Sequence, residues 1–353
     1  MKLEKLRNLF EQLGIDGMLI TSSINLRYMT GFTGSAGLAV ISGDRAAFIT
    51  DFRYTEQAKV QVKGFEIIEH GGSLIQTTAD TIEKFGIKRL GFEQNSMTYG
   101  TYASYNAVIS EAELVPLAES VEKLRLIKSN EEIKILEEAA KIADDAFSHI
   151  LTFMKPGISE IAVANELEFY MRSQGADSSS FDMIVASGLR SSLPHGVASD
   201  KLIESGDLVT LDFGAYYKGY CSDITRTVAV GQPSDQLKEI YQVVFDAQAR
   251  GVEHIKPGMT GKEADALTRD HIAAKGYGEY FGHSTGHGLG MEVHESPGLS
   301  VRSSAILEPG MVVTVEPGIY IPETGGVRIE DDIVITQNGN RTITHSPKEL
   351  IIL

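Results

Sequence analysis

The stretch ESGDLVTLDFGAY (204–216) returns, its pattern kept, as EPGMVVTVEPGIY (308–320). Two other pairs precede it in the same order. Lys155-Pro156-Gly157 opens a helix-like run ending at Gly175, and Lys256-Pro257-Gly258 opens one ending at Gly276. SLPHG (192–196) is answered by STGHG (284–288). Blocks repeated in one order point to a domain built from two related halves that face each other. One acidic residue stands at the same place in each half: Asp212 in the first, Glu316 in the second.

Each acidic residue predicts a partner across a hairpin. In LVTLDFGAYYKGYCSDITRTVAV (208–230), two β-prone runs flank Lys218-Gly219, a two-residue turn. That turn pairs Tyr217 with Tyr220 and Gly214 with Asp223. Asp212 and Asp223 then become diagonal neighbours on one face, roughly 7–8 Å apart at Cα. In the second half a five-residue loop, Pro322 to Gly326, would pair Gly318 with Glu330 and set Glu316 and Glu330 on one face. A four-residue loop would put them on opposite faces.

Four carboxylates brought together repel. Two like charges 4 Å apart cost about 4 kcal/mol at an effective dielectric of 20. Such a cluster persists by taking up protons or by binding cations. Isolated surface acids are the plainer reading, but Leu211, Phe213, Val315 and Ile329 give these residues apolar neighbours. The histidine-rich segment GHSTGHGLGMEVHESP (282–297) is too rich in glycine for a helix, yet it brings His283, His287 and His294 close together. His195 falls in the matching block of the first half. His70, His149, His254, His271 and His345 have no such context and read as ordinary surface or core groups. Oxygen donors with imidazole suit Mn²⁺, Fe²⁺ or Co²⁺ better than a thiolate-type zinc site. Two ions bridged by carboxylates would hold a hydroxide at neutral pH, aimed at a carbonyl. Cys221 reads as a small buried side chain.

Upstream, GMLI (17–20), GLAVIS and RAAFIT around Gly43-Asp44, FEIIEH (65–70) and RLGFE (89–93) predict strands. Segments 2–13, 53–63, 73–85 and 98–109 predict helices, so the first third reads as a compact α/β domain. GFTGSAG (31–37) lacks a strand-to-helix switch around it and reads as a turn. Ser129, with Glu132 three residues on, forms a capping box that opens a long helix. The domains are accordingly set at 1–124 and 125–353.

At 353 residues the chain has room for two domains. Its net charge of −16 disfavours nucleic acid and anionic membranes. A single cysteine excludes an intramolecular disulfide and fits a reducing compartment. The first residues, MKLEKLRNLFEQLG, alternate charged and apolar side chains, unlike a signal peptide. No apolar run is long enough to span a membrane. The expected location is the cytoplasm.

LDFGAYYKGYCSDITRT, GHSTGHGLGMEVHE, VEPGIYIP and GGVRIEDD, in that order, resemble the pita-bread metallopeptidases and, among them, the Xaa-Pro peptidases. YMTGFTGSAG and TDFRY are similar to the small N-terminal domain shared by aminopeptidase P, prolidase and creatinase. The resemblance implies a small N-terminal α/β domain followed by a catalytic pita-bread domain of two halves. It implies five metal ligands: Asp212 on one ion, Asp223 and Glu330 bridging both, and His287 and Glu316 completing the other. Glu316 would also shuttle the proton. His195 and His294 match substrate-binding and transition-state-stabilising histidines, His283 the histidine near the proline-ring pocket, and Arg328 an arginine behind the ligands that is counted with the substrate-binding set.

By that resemblance the cofactor is a pair of divalent ions, manganese first, with Co²⁺, Fe²⁺ or Zn²⁺ as alternatives. The substrates are short proline-containing peptides cleaved at the Xaa-Pro bond, and the assembly is a homodimer. The alternatives are a methionine aminopeptidase-like enzyme, which usually lacks such an N-terminal domain, and a peptide-binding module of the same fold that has lost its ligands. Creatinase shares both domains but works without metal. Where prolidase-like relatives often carry an arginine after His-Glu-x-Pro, this chain has Gly298, with Arg302 nearby as a substitute.

Overall fold

A computed structural model describes residues 2–353. It divides into one unit ending at Arg125 and a second from Leu126 to Leu353.

In the first unit a mixed six-stranded sheet runs, edge to edge, Glu66–Glu69, Ala46–Thr50, Leu38–Ser42, Gly17–Ile20, Arg89–Glu93 and Glu113–Leu117. Leu19, Val40, Ile49 and Leu90 pack with Ile82 and Tyr105 from the helices Leu74–Phe85 and Tyr99–Val108. Two elements go beyond the sequence reading. Helix Ser23–Thr30 is opened by Ser22, whose side chain accepts from the Asn25 N–H. Strand Glu113–Leu117 contains Pro116, a residue that argues against a strand except at a sheet edge, and this strand is an edge. The helix expected over 2–13 is two, Lys2–Arg7 and Phe10–Leu13.

The second unit carries the internal repeat into three dimensions. Helices Asn130–Phe153 and Glu160–Ser173 belong to the first half, Asp235–His254 and Gly261–Ala274 to the second. The Lys-Pro-Gly turns between them are held alike: Gly157 donates to the Ile203 carbonyl and Gly258 to that of Leu307, each at 2.8 Å. The capping box at Ser129 and Glu132 is present.

Each half then forms a long interrupted hairpin. Strand Asp207–Phe213 pairs with Ile224–Val230, and beyond a break Ala215–Tyr217 continues against Tyr220–Cys221 in the same register. Lys218 and Gly219, with φ of 50° and 90°, make the turn. Val312–Val315 pairs with Asp331–Ile335, and Gly318–Ile321 continues against Gly325–Arg328. Alternation does the sorting. Val209, Leu211, Phe213, Ile224 and Val228 pack against Ala143, Phe147 and Ile150 of the long helix. Asp212, Asp223 and Thr225 are left on the other face.

Candidate active site

The breaks in both hairpins fall at acidic residues. In the first, Thr225 lies opposite Asp212, and the shared register sets Gly214 opposite Asp223, so the two aspartates are diagonal neighbours as expected. Gly214 must be glycine: a Cβ there would lie 1.8 Å from the Ser222 carbonyl oxygen. In the second, the expected register is corrected. Ile321 pairs with Gly325 rather than Val327, leaving a three-residue loop, Pro322 to Thr324. The shift is by two residues, so the face is kept, and Glu316 falls directly opposite Glu330.

Four strands and two loops thereby meet at a cavity of about 470 Å³. Its lining includes Asp212, Asp223, His287, Glu316 and Glu330, with His195, His283, His294 and Arg328. Ligand atoms of Asp223, His287 and Glu330 lie within 4.8 Å of one another. His287 Nε2 is 3.2 Å from Glu316 Oε1 and 3.7 Å from Asp223 Oδ2. The His287 segment reaches the sheet because Gly286 has no side chain; a Cβ there would lie 2.0 Å from the Thr314 carbonyl oxygen.

Neighbouring groups hold the side chains of Asp212, Glu316 and Glu330 and the backbone of His287. Thr225 Oγ1 donates to Glu330 at 2.6 Å, and Thr314 Oγ1 donates to Glu316 at 3.1 Å. The Thr314 hydroxyl also accepts from the His287 N–H at 3.1 Å. Arg328 donates to Asp212, to Tyr320 Oη, to the Pro194 carbonyl and to Thr225, so its guanidinium is engaged on every side. Tyr320 Oη lies 2.8 Å from His283 Nε2. His294 is exposed, its ring centroid 4.4 Å from that of His287.

Packed together in the interior, the carboxylates repel one another. Burial and then repulsion from Glu330 raise Asp223 well above the usual carboxylate range. Burial and then Glu316 do the same to Glu330. Burial raises Asp212 against the pull of Arg328. Burial also pushes Glu316 upward, but the hydrogen bond and charge of His287 prevail and hold it low. Asp223 Oδ1 is buried and has no hydrogen-bond partner. A buried orphan oxygen beside three further carboxylates and an imidazole is a donor set that fits divalent cations.

His70, His149, His254, His271 and His345 do not line the cavity. Cys221 is buried, its Sγ 3.8 Å from the Met291 carbonyl oxygen. Gly298 and Arg302 are not among the residues that line it. Thr225, Thr314 and Tyr320 were missed in the sequence reading. Thr225 and Thr314 each stand two residues from a candidate ligand, Asp223 and Glu316, and period-two alternation places such residues on the same face. Phe181 and Asp182 also line the cavity, and no pattern marks them.

The model of metallopeptidase family M24 matches residues 134–337, and that of the creatinase/prolidase N-terminal domain matches residues 2–127. The peptidase YqhT of Bacillus subtilis (strain 168) is 96% identical over 353 residues, spanning 100% of both chains. The solved Xaa-Pro dipeptidase of Bacillus anthracis is 66% identical with a TM-score of 0.99, over 100% of this chain and 99% of that one. The solved X-Pro aminopeptidase of Thermotoga maritima MSB8 is 39% identical with a TM-score of 0.93, over 99% and 100%.

Proposed function

The chain belongs to metallopeptidase family M24, with an N-terminal domain of the creatinase/prolidase type, and from that premise we propose that it hydrolyses the Xaa-Pro bond of dipeptides. The observation that carries this reading is the gathering of Asp212, Asp223, His287, Glu316 and Glu330 on one cavity with three further histidines at its wall. The dipeptide preference is supported by the likeness to the dipeptidase at 66% identity, against 39% to the aminopeptidase.

A bond before proline is a tertiary amide without an N–H, and its ring obstructs extended binding of the usual protease kind. Divalent ions, when bound, would supply a nucleophile from water at neutral pH and polarise the scissile carbonyl. Asp223, Glu330 and His287 would hold them, with Asp212 and Glu316 completing the set. Glu316 takes the proton that the attacking water gives up and carries it to the proline nitrogen as the C–N bond breaks. His294, beside His287 and open to the cavity, donates to the oxygen on which charge develops. His195 and His283 bind the substrate. Arg328, with its nitrogens already taken, acts by fixing Asp212 and Tyr320. The oxygen-rich donors favour manganese.

No helix among the described residues is long and apolar enough to cross a membrane. The single buried cysteine supports a cytoplasmic setting, and the family resemblance a homodimer, which light scattering on the purified protein would check. The decisive assay compares Xaa-Pro dipeptides with Xaa-Pro-Xaa tripeptides after reconstitution with Mn²⁺. Higher kcat/KM on the dipeptides is expected. Preference for tripeptides would make the enzyme an aminopeptidase, and no cleavage of either would refute the reading.

A further inference from the structure

His195 and His283 sit on loops, and loops are mobile unless something holds them. In each half a buried carboxylate from the helix after the Lys-Pro-Gly turn does so. Glu160, in the first turn of Glu160–Ser173, is fully buried. Its Oε1 accepts from the N–H and hydroxyl of Ser187, at 2.8 and 2.9 Å. Its Oε2 accepts from Arg190 and from the N–H and hydroxyl of Ser199, the last two at 3.1 and 2.6 Å. Arg190 in turn donates to the Val197 carbonyl at 2.8 Å. The segment from Ser187 to Ser199, with His195 inside it, is thus tied to one carboxylate at both ends and in the middle.

The second half repeats the device one turn further along its helix. Asp265 of Gly261–Ala274 is 1% exposed. Its Oδ1 accepts from the Thr285 N–H at 3.0 Å and the Thr285 hydroxyl at 2.9 Å, and both its oxygens accept from Arg269. Arg269 reaches on to the carbonyls of Phe281 and His283, at 3.0 and 2.7 Å. Here too a carboxylate and an arginine bracket a histidine. None of these four groups lines the cavity.

We propose that Glu160 and Asp265 are positioning residues, each setting one substrate-binding histidine: Glu160 sets His195 and Asp265 sets His283. The proposal rests on the functional reading above for what the histidines do. A buried carboxylate is kept where several donors converge on it, and charge-assisted bonds are the strong ones. Glu160→Gln and Asp265→Asn keep the shape but turn one acceptor into a donor, leaving loop donors unsatisfied.

The test is a crossed set of double mutants read by kinetics, metal content and amide hydrogen exchange. Glu160→Gln should lower kcat/KM by about 10- to 100-fold, the scale of a small misplacement of a binding group. In a His195→Ala background the same change should cost less than about threefold, whereas in His283→Ala it should keep its full effect. Asp265→Asn should show the opposite pattern. Metal content should match the unmodified enzyme throughout. Amides from 187 to 199 should exchange faster in Glu160→Gln alone, and those from 281 to 285 in Asp265→Asn alone. Effects that simply add in every background, unchanged exchange, or loss of metal would overturn the proposal. Should Glu160→Gln or Asp265→Asn fail to fold, Arg190→Met, Ser199→Ala and Arg269→Met cut the same ties from the other side and must give the same pattern. If the unmodified enzyme cleaves no Xaa-Pro peptide, the functional reading fails, while the exchange data still decide the two clamps.

Discussion

Asp223 and Glu330 both belong to the three residues whose ligand atoms converge within 4.8 Å, and both are nearly fully buried. Asp223→Asn and Glu330→Gln should each remove at least one ion per chain and nearly all turnover, measured by elemental analysis beside the assay. His254→Ala should leave both unchanged, since His254 lies exposed in the last turn of its helix with Nδ1 3.0 Å from the Arg250 carbonyl oxygen. Comparable losses in all three variants would overturn this assignment. His294 calls for a different outcome. A donor used chiefly in the transition state lowers kcat and kcat/KM together with little change in KM. His294→Ala should keep its metal and lose about 10²–10³ in rate. Falling metal content would instead make His294 a ligand. Cys221 gives a check on burial: its thiol is pushed up to about 12, first by burial. Thiol reagents at pH 8 should label it only after denaturation, because almost no thiolate exists in the folded chain.

At the scale of elements, the hairpin is what converts spacing into a site. Its first half could be read from the sequence because Lys218-Gly219 names its own turn, and a two-residue turn fixes register. The second half could not, since PETGG (322–326) is compatible with loops of several lengths. The structure selected three, and only because a two-residue slip preserves the face did Glu316 and Glu330 stay together. Gly214→Ala tests the hairpin itself. Its Cβ would meet the Ser222 carbonyl oxygen, and relieving that overlap must separate the strands carrying Asp212 and Asp223. The expected result is about 1–3 kcal/mol less stability by denaturant titration, with weaker metal binding. Wild-type metal affinity in this variant would show that the close approach is dispensable.

For the molecule as a whole, the buried carboxylates tie stability to pH. Asp223 and Glu330 are raised in the folded chain, so it retains protons that the unfolded chain has released. This stabilising contribution is complete below the ordinary carboxylate range and is lost as pH rises through the raised values. Cations would bind the deprotonated carboxylates and remove the repulsion. Thermal unfolding with and without Mn²⁺ should therefore show a metal-induced rise in Tm that grows from pH 5 to pH 8. A rise independent of pH would mean that these carboxylates are not what the metal neutralises.

The sequence by itself determined the division into halves, the β-alternation that turns Asp212, Asp223, Glu316 and Glu330 away from the apolar core, and the histidines within reach. These follow from repeat and period, which are properties of one stretch of chain at a time. Tertiary structure alone decided the second hairpin's register, the capture of Asp212 by Arg328, and the placing of Tyr320 between His283 and Arg328. It also decided that Glu160 and Asp265 hold the histidine loops. Those ties join residues far apart in the chain, or compatible with several local geometries, and nothing in their spacing announces them. Burial selects them, because a charge withdrawn from water must find donors wherever the fold has brought them.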